Sequence, residues 1–265
     1  LIGAVQRLSA VNFIHLSSMV RCGASRLGKL ADHRYPDASR LFDHQPVIRG
    51  AMPARIVTIA QQKGGAGKTS LTAHLAAAFA GQGHRVALID IDPQGSLTAW
   101  AGLRPAGFDP HLNLSTVSGW RTGPEVERQA REHDLVLIDC PPHGETAAKL
   151  AVRAADLIVV PMQPSPLDLW ATRATIDLIA AEKRPLRLVL NRVPARGSLS
   201  EAMARELAET GAPIADATLG NRQAFAAALV EGLGVTEYEP RGQAAAEMNA
   251  LAAELLGVLA PARKR

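Results

Sequence analysis

The chain has 265 residues, enough for one large α/β domain or a domain with an appendage. It is 47% hydrophobic but only 4% aromatic, so its core has to be aliphatic. No apolar run approaches the ~18–20 residues of a membrane span. The two cysteines, Cys22 and Cys140, have no metal-type spacing and make no disulfide framework, so a reducing cytosol is the expected compartment. The net charge of +4 is confined to residues 1–51, which hold seven Lys or Arg against three acids. The rest of the chain has 22 of each sign, so any nucleic-acid surface there must be a local patch.

Residues 1–51 show no sustained period, and Arg34-Tyr35-Pro36-Asp37 reads as a turn. Two readings stand for this segment. It is a mis-assigned upstream stretch ahead of a true start at Met52, or it is a disordered arm or cargo-specific tail. Residues 52–265 are expected to form the functional domain.

Ile56 to Ala60 is an apolar run with strand character, and Leu71 to Ala80 is an alanine-rich helical pattern. Between them lies Gln61-Gln62-Lys63-Gly64-Gly65-Ala66-Gly67-Lys68-Thr69-Ser70. Strand, glycine-rich turn and helix start form the context in which a loop wraps a phosphate chain. The glycines let successive N–H groups point inward, and the helix N-terminus adds partial positive charge. Lys68 is expected to reach the outer phosphates, with the Thr69 hydroxyl on Mg²⁺. The spacing is unusual, since the ordinary motif needs glycine where Gln62 stands, and a second lysine, Lys63, opens the loop.

Val86 to Asp90 is a buried-strand pattern ending in an acid, followed by Ile91-Asp92-Pro93-Gln94-Gly95-Ser96. From Trp100 to Asp134, glycines and prolines fall too densely for long elements. Trp100 and Trp120 are expected in local core or edge packing, and Glu125 to His133 as a short surface helix. Leu135 to Asp139 repeats the strand-plus-acid pattern and leads into Cys140-Pro141-Pro142-His143-Gly144-Glu145. Four apolar residues and an aspartate read as a Walker B strand, with Asp139 near Mg²⁺ through its water shell. Cys140 reads as a small buried residue and His143 as a solvent-facing loop histidine.

Asp156 to Pro161 is a further strand. Ser165 or Asp168 is expected to cap the helix that follows, which runs to Lys183, and Trp170 to lie on its core face or at an interface. Leu186 to Arg192 is the next strand, and Pro213 to Leu219 a last short strand or edge piece. Gln243 to Leu259 has helical spacing, with Met248, Leu251, Leu255 and Val258 on one face.

The two-lysine loop, the Asp-x-Asp-Pro-Gln-Gly segment at Asp90 and the Asp-Cys-Pro-Pro segment at Asp139 together resemble the deviant Walker A ATPases of the ParA/MinD family, ParA-type partition and positioning proteins above all. That resemblance covers nearly all of residues 52–265 and implies a single doubly wound α/β domain with a mostly parallel sheet. It implies ATP and Mg²⁺ as cofactors and hydrolysis to ADP and phosphate. Phosphate and nucleotide contacts fall on Gly64, Gly65, Ala66, Gly67, Lys68, Thr69 and Ser70, with the Asn191 amide on adenine. Mg²⁺ falls to Thr69, Asp92 and Asp139, partly through water. Lys63 reaches across a dimer interface to the partner's nucleotide, and Asp92 positions the attacking water.

The resemblance also implies an ATP-dependent homodimer that binds double-stranded DNA without sequence preference. A ParB-like or cargo adaptor would stimulate hydrolysis, and the protein would be cytoplasmic and nucleoid-associated. The basic run from Lys183 to Ser200, with Arg241 and Arg263-Lys264-Arg265, is the candidate DNA patch. Arg192, Arg196, Arg222 and Arg241 are its named residues, Arg222 foremost. Two relatives share the nucleotide motifs: MinD-like membrane-positioning ATPases and cobyrinic acid a,c-diamide synthases. The last helix is alanine-rich and acid-bearing, which argues against a membrane foot.

Overall fold

The computed structural model describes residues 53–105, 111–117, 119–142, 146–195 and 199–260. The readings of residues 1–51, His143, Arg196 and the terminal Arg263-Lys264-Arg265 lie outside these. Six strands form one sheet in the order β3-β2-β4-β1-β5-β6, every described pair parallel. They are β1 (Arg55–Ile59), β2 (Val86–Asp90), β3 (Leu112–Thr116), β4 (Leu135–Asp139), β5 (Leu157–Met162) and β6 (Leu186–Leu190). Chain segments around Ile214 and Gly220 add isolated parallel bridges to Leu188 and Val193, an edge piece and not a seventh strand.

The sheet is parallel because helices return the chain between strands, and they cover both faces. Side chains alternate accordingly. Val57, Ile59, Leu88, Leu137 and Val159 enter one core with α1 (Lys68–Gly81) and α9 (Gln243–Leu259). Ile89, Val136, Ile138, Ile158 and Val160 enter the other. There they meet α3 (Thr122–Ala130), α4 (Thr146–Ala154), α5 (Pro166–Ala181) and α6 (Leu199–Ala208). Both cores are aliphatic, as the composition requires.

Helix α1 is buried from Leu71 to Ala80, which explains its run of alanines and leucines without a polar face. Of the aromatics, Trp100 is in the core at 5% exposure, as expected. Trp120 at 75% and Trp170 at 63% are exposed, which corrects the core readings of both. Arg121 stacks on the Trp120 ring, shielding some of its apolar face. In α9 the buried stripe is Met248, Leu251, Leu255 and Leu259, and Val258 faces outward.

The C-terminal elements α7 (Gln223–Val230) and α8 (Val235–Tyr238) are tied to α1 and to α2 (Ser96–Leu103). The Trp100 indole donates to Leu233 O at 3.3 Å. Arg104, just past α2, donates to both carboxylate oxygens of Glu237 at 2.7 and 3.1 Å, with both side chains nearly buried. His74 of α1 accepts from Val235 N at 3.1 Å through Nδ1.

Burial pushes the His74 pKa from 6.5 down to about 4, a shift that the nearby Phe225 backbone only partly offsets. The folded chain therefore keeps His74 neutral where the unfolded chain takes up a proton. Stability from this residue is full above pH 6.5, falls as pH drops towards 4, and then levels off, a loss of about 3 kcal/mol. Urea unfolding at pH 7 and pH 4.5 should show this fall, and His74→Gln should flatten it; an equal slope in the variant would place its origin elsewhere.

Candidate nucleotide site

The sheet sets the site. Strand β1 lies between β4 and β5, and the crossover from β1 runs one way, to β2, while the crossover from β4 runs the other way, to β5. A crevice opens at the carboxyl ends of the strands at such a switch point. The loop from Gln61 to Gly67 fills this place and delivers its amides to the start of α1.

The loop's shape depends on Gly65 and Gly67, whose φ angles are +78° and +93°. A side chain on Gly67 would be strained by that backbone and would also meet Asn191 Nδ2 at 2.5 Å. That closeness reflects a direct tie, since Asn191 Nδ2 donates to Ala66 O at 3.0 Å. Asn191, expected at the base, therefore sits against the loop in this structure.

Lys68 is buried in the loop's mouth, where its Nζ donates to Lys63 O at 3.3 Å. Burial lowers its pKa, and the charges of Asp139 and Asp92 partly counter this. Asp139 ends β4 beneath it. Its carboxylate accepts from the Thr69 hydroxyl at 2.6 Å and the Thr72 hydroxyl at 3.3 Å. Burial pushes the Asp139 pKa up to about 7, the Thr69 bond opposes this, and the Asp90 charge adds to it.

Asp90 and Asp92 have divided roles. Asp90 is fully buried and accepts from Asp92 N, Thr98 N and the Thr98 hydroxyl at 3.1, 2.9 and 2.7 Å. It shapes the turn that leads into α2. Asp92 lines the cleft itself, with one oxygen accepting from Gln94 N at 3.0 Å. Cys140 is buried and its thiol pushed up by desolvation, so it is packing and not a thiolate.

A cleft of about 480 Å³ runs from this loop along α1. Gly64, Gly65, Gly67, Lys68, Thr69, Ser70 and Asp92 line its polar end, and Ala73, Trp100, Leu103 and Leu229 its apolar wall. A buried carboxylate and a hydroxyl 2.6 Å apart are hard oxygen donors suited to Mg²⁺. No cluster of three or more His, Cys, Asp or Glu among the described residues could hold a metal alone. A cation here would therefore take its other ligands from phosphate and water.

Several contacts that hold the site left no signal in the sequence. Lys63, expected to face a partner, forms an ion pair with Asp168 of its own chain. Asp168 is nearly buried, at the first turn of α5, where Ser165 caps the helix and Pro166 opens it. Buried Gln61 donates to the Thr172 hydroxyl at 2.9 Å and accepts from the Thr175 hydroxyl at 2.7 Å. Gln163 Nε2 donates to Gly65 O at 3.0 Å. Together these bonds fasten the loop to α5 and to the link that precedes it.

The described DNA candidates sit in different surroundings. Arg222 donates to both oxygens of Glu247 at 2.5–3.0 Å, so its charge is already matched by a carboxylate. Arg192 lines the nucleotide cleft. Arg241 is exposed, as are Lys183 and Arg184.

Amides and an ammonium offered to phosphates at the switch point of a parallel sheet are the work of a phosphate-loop nucleotide-binding protein. The comparisons place it more closely. A family model described as the CobQ/CobB/MinD/ParA nucleotide binding domain matches residues 57–235. The chain is 31% identical over 207 residues to the maintenance of carboxysome distribution protein A of Halothiobacillus neapolitanus, covering 76% of this chain and 95% of that one. It is 38% identical over 205 residues to the protein of that name from Gloeobacter kilaueensis, covering 74% and 89%. A solved ATP complex of a Cyanothece McdA variant superimposes with a TM-score of 0.65 at 14% identity, covering 81% of this chain and 100% of that one. The chain belongs to the CobQ/CobB/MinD/ParA nucleotide-binding family.

Proposed function

We propose that this protein is a Mg²⁺-dependent ATPase of the ParA type that positions a cellular cargo on nucleoid DNA in the cytoplasm. One observation carries the reading: a second loop lysine, Lys63, which takes no part in lining its own chain's cleft. ATP enters on Lys68, Thr69 and the loop amides, with Mg²⁺ beside Thr69, Asp139 and Asp92. Lys63 leaves Asp168 and neutralises phosphate charge on a second copy, giving a nucleotide sandwich dimer.

Dimerisation doubles the cations facing DNA and steepens both affinity and salt dependence. Lys183, Arg184 and Arg241 are the exposed cations for that contact. Hydrolysis, with Asp92 orienting water and an adaptor protein stimulating it, returns monomers to solution. The relatives named for carboxysome distribution, matched over 95% and 89% of their lengths, support a cargo-positioning role.

Co-sedimentation of the full chain with plasmid DNA and, separately, with anionic liposomes tests the reading. DNA retention is expected with ATP, not with ADP, and is lost as salt rises. ATP-dependent capture by liposomes without DNA retention would favour a MinD-like membrane role instead.

A further inference from the structure

The ion pair of Lys63 with Asp168 joins a fixed acid to a cation on a free stem. The main chain at Lys63 is held in place. Its carbonyl accepts from Lys68 Nζ at 3.3 Å, and the loop before and after it is fastened too. Gln62 N donates to the Thr175 hydroxyl at 3.2 Å, and Gly65 O accepts from Gln163 Nε2 at 3.0 Å. What remains able to turn is the lysine's flexible four-carbon stem, and its side chain is 32% exposed.

Asp168 has support of its own. It lies in the first turn of α5, where the helix's partial positive charge favours a carboxylate. The Ser165 hydroxyl donates to one of its oxygens at 2.5 Å, and Gln163 N reaches the other at 3.5 Å. Its side chain is only 3% exposed, so water screens its pull on the ammonium poorly. The acid is thus satisfied with or without Lys63, while Lys63 is drawn strongly to the acid. Neither residue lines its own chain's cleft. We propose that Asp168 is an autoinhibitory catch, which holds Lys63 back until a triphosphate on a second copy pulls harder than this carboxylate. This rests on the reading of Lys63 as a cross-subunit contact. The catch lowers the fraction of chains competent to associate, and the apparent dimer affinity falls by that fraction.

Sedimentation equilibrium of the full chain with a non-hydrolysable ATP analogue, over a range of protein concentrations, tests this. Asp168→Asn and Asp168→Ser each keep a polar group at the helix start and remove the charge. Both should dimerise about 5- to 150-fold more tightly than wild type, and the gain should vanish when Lys63→Ala is added. Ser165→Ala removes the cap and one hydrogen bond of the acid but leaves its charge. It should lower the urea midpoint without tightening the dimer, which separates holding the lysine from holding the helix. Wild-type or weaker dimerisation of both Asp168 variants, beside a monomeric Lys63→Ala, would overturn the catch alone. So would a gain that persisted without Lys63. A Lys63→Ala chain that dimerised as the wild type does would remove the cross-subunit reading itself, and the catch with it.

Discussion

Lys68→Ala should give a folded protein that no longer holds ATP. The ammonium is buried in the loop with only the Lys63 carbonyl as a hydrogen-bond partner among the described residues, and burial lowers its pKa. Holding a cation there works against the apo fold, and phosphate oxygens are the charge that would offset it. Truncating one partner of a desolvated charge pair costs about 2–5 kcal/mol, a weakening of roughly 30- to several-thousand-fold. The apo protein loses little, because it loses a poorly solvated charge. Titration with ATP should show the loss while the urea midpoint stays level or rises. A variant that bound ATP within threefold of wild type would move the phosphates elsewhere.

Much of this site could be read along the chain because its chemistry is local. The loop's glycines, its lysines and Thr69 are neighbours in sequence, and their spacing alone sets which groups face a phosphate. The inner strands were equally plain, since β2, β4 and β5 are buried along their whole length and read as apolar runs, the first two up to their terminal aspartates. Strand β3 was missed for the opposite reason. Among the described residues it pairs only with β2 at the sheet's edge, is half exposed, and offers just Leu112 and Leu114 as apolar residues.

Pairing over distance was the other blind spot. Ser165 was legible as a cap, but nothing local joins Lys63 to Asp168, 105 residues away. Glu247 of α9 likewise pairs with Arg222 from 25 residues along the chain, which no local pattern shows. Trp170 was ambiguous because a tryptophan on a helix reads alike in core and interface. Its exposure beside Leu167, at 63% and 64%, puts apolar surface next to Asp168 and the loop.

The second large effect concerns Lys63. Its side chain is one-third exposed and pairs with Asp168, whose carboxylate also accepts from the Ser165 hydroxyl at 2.5 Å. When Lys63 leaves, that hydroxyl stays as a donor, so separation does not strand a wholly unsatisfied buried charge. A triphosphate on a second copy is a stronger anionic target than one carboxylate. Because Lys63 does not line its own cleft, Lys63→Ala should bind ATP with wild-type affinity and yet fail to dimerise. Losing one desolvated charge pair per nucleotide, two per symmetric dimer, amounts to roughly 4–10 kcal/mol of association free energy.

Sedimentation velocity with a non-hydrolysable ATP analogue is the direct measurement. The wild-type chain should sediment as a dimer with the analogue and as a monomer with ADP, and Lys63→Ala as a monomer with either. A Lys63→Ala protein that dimerised on the analogue as the wild type does would contradict the cross-subunit role, and with it the ATP-driven switch.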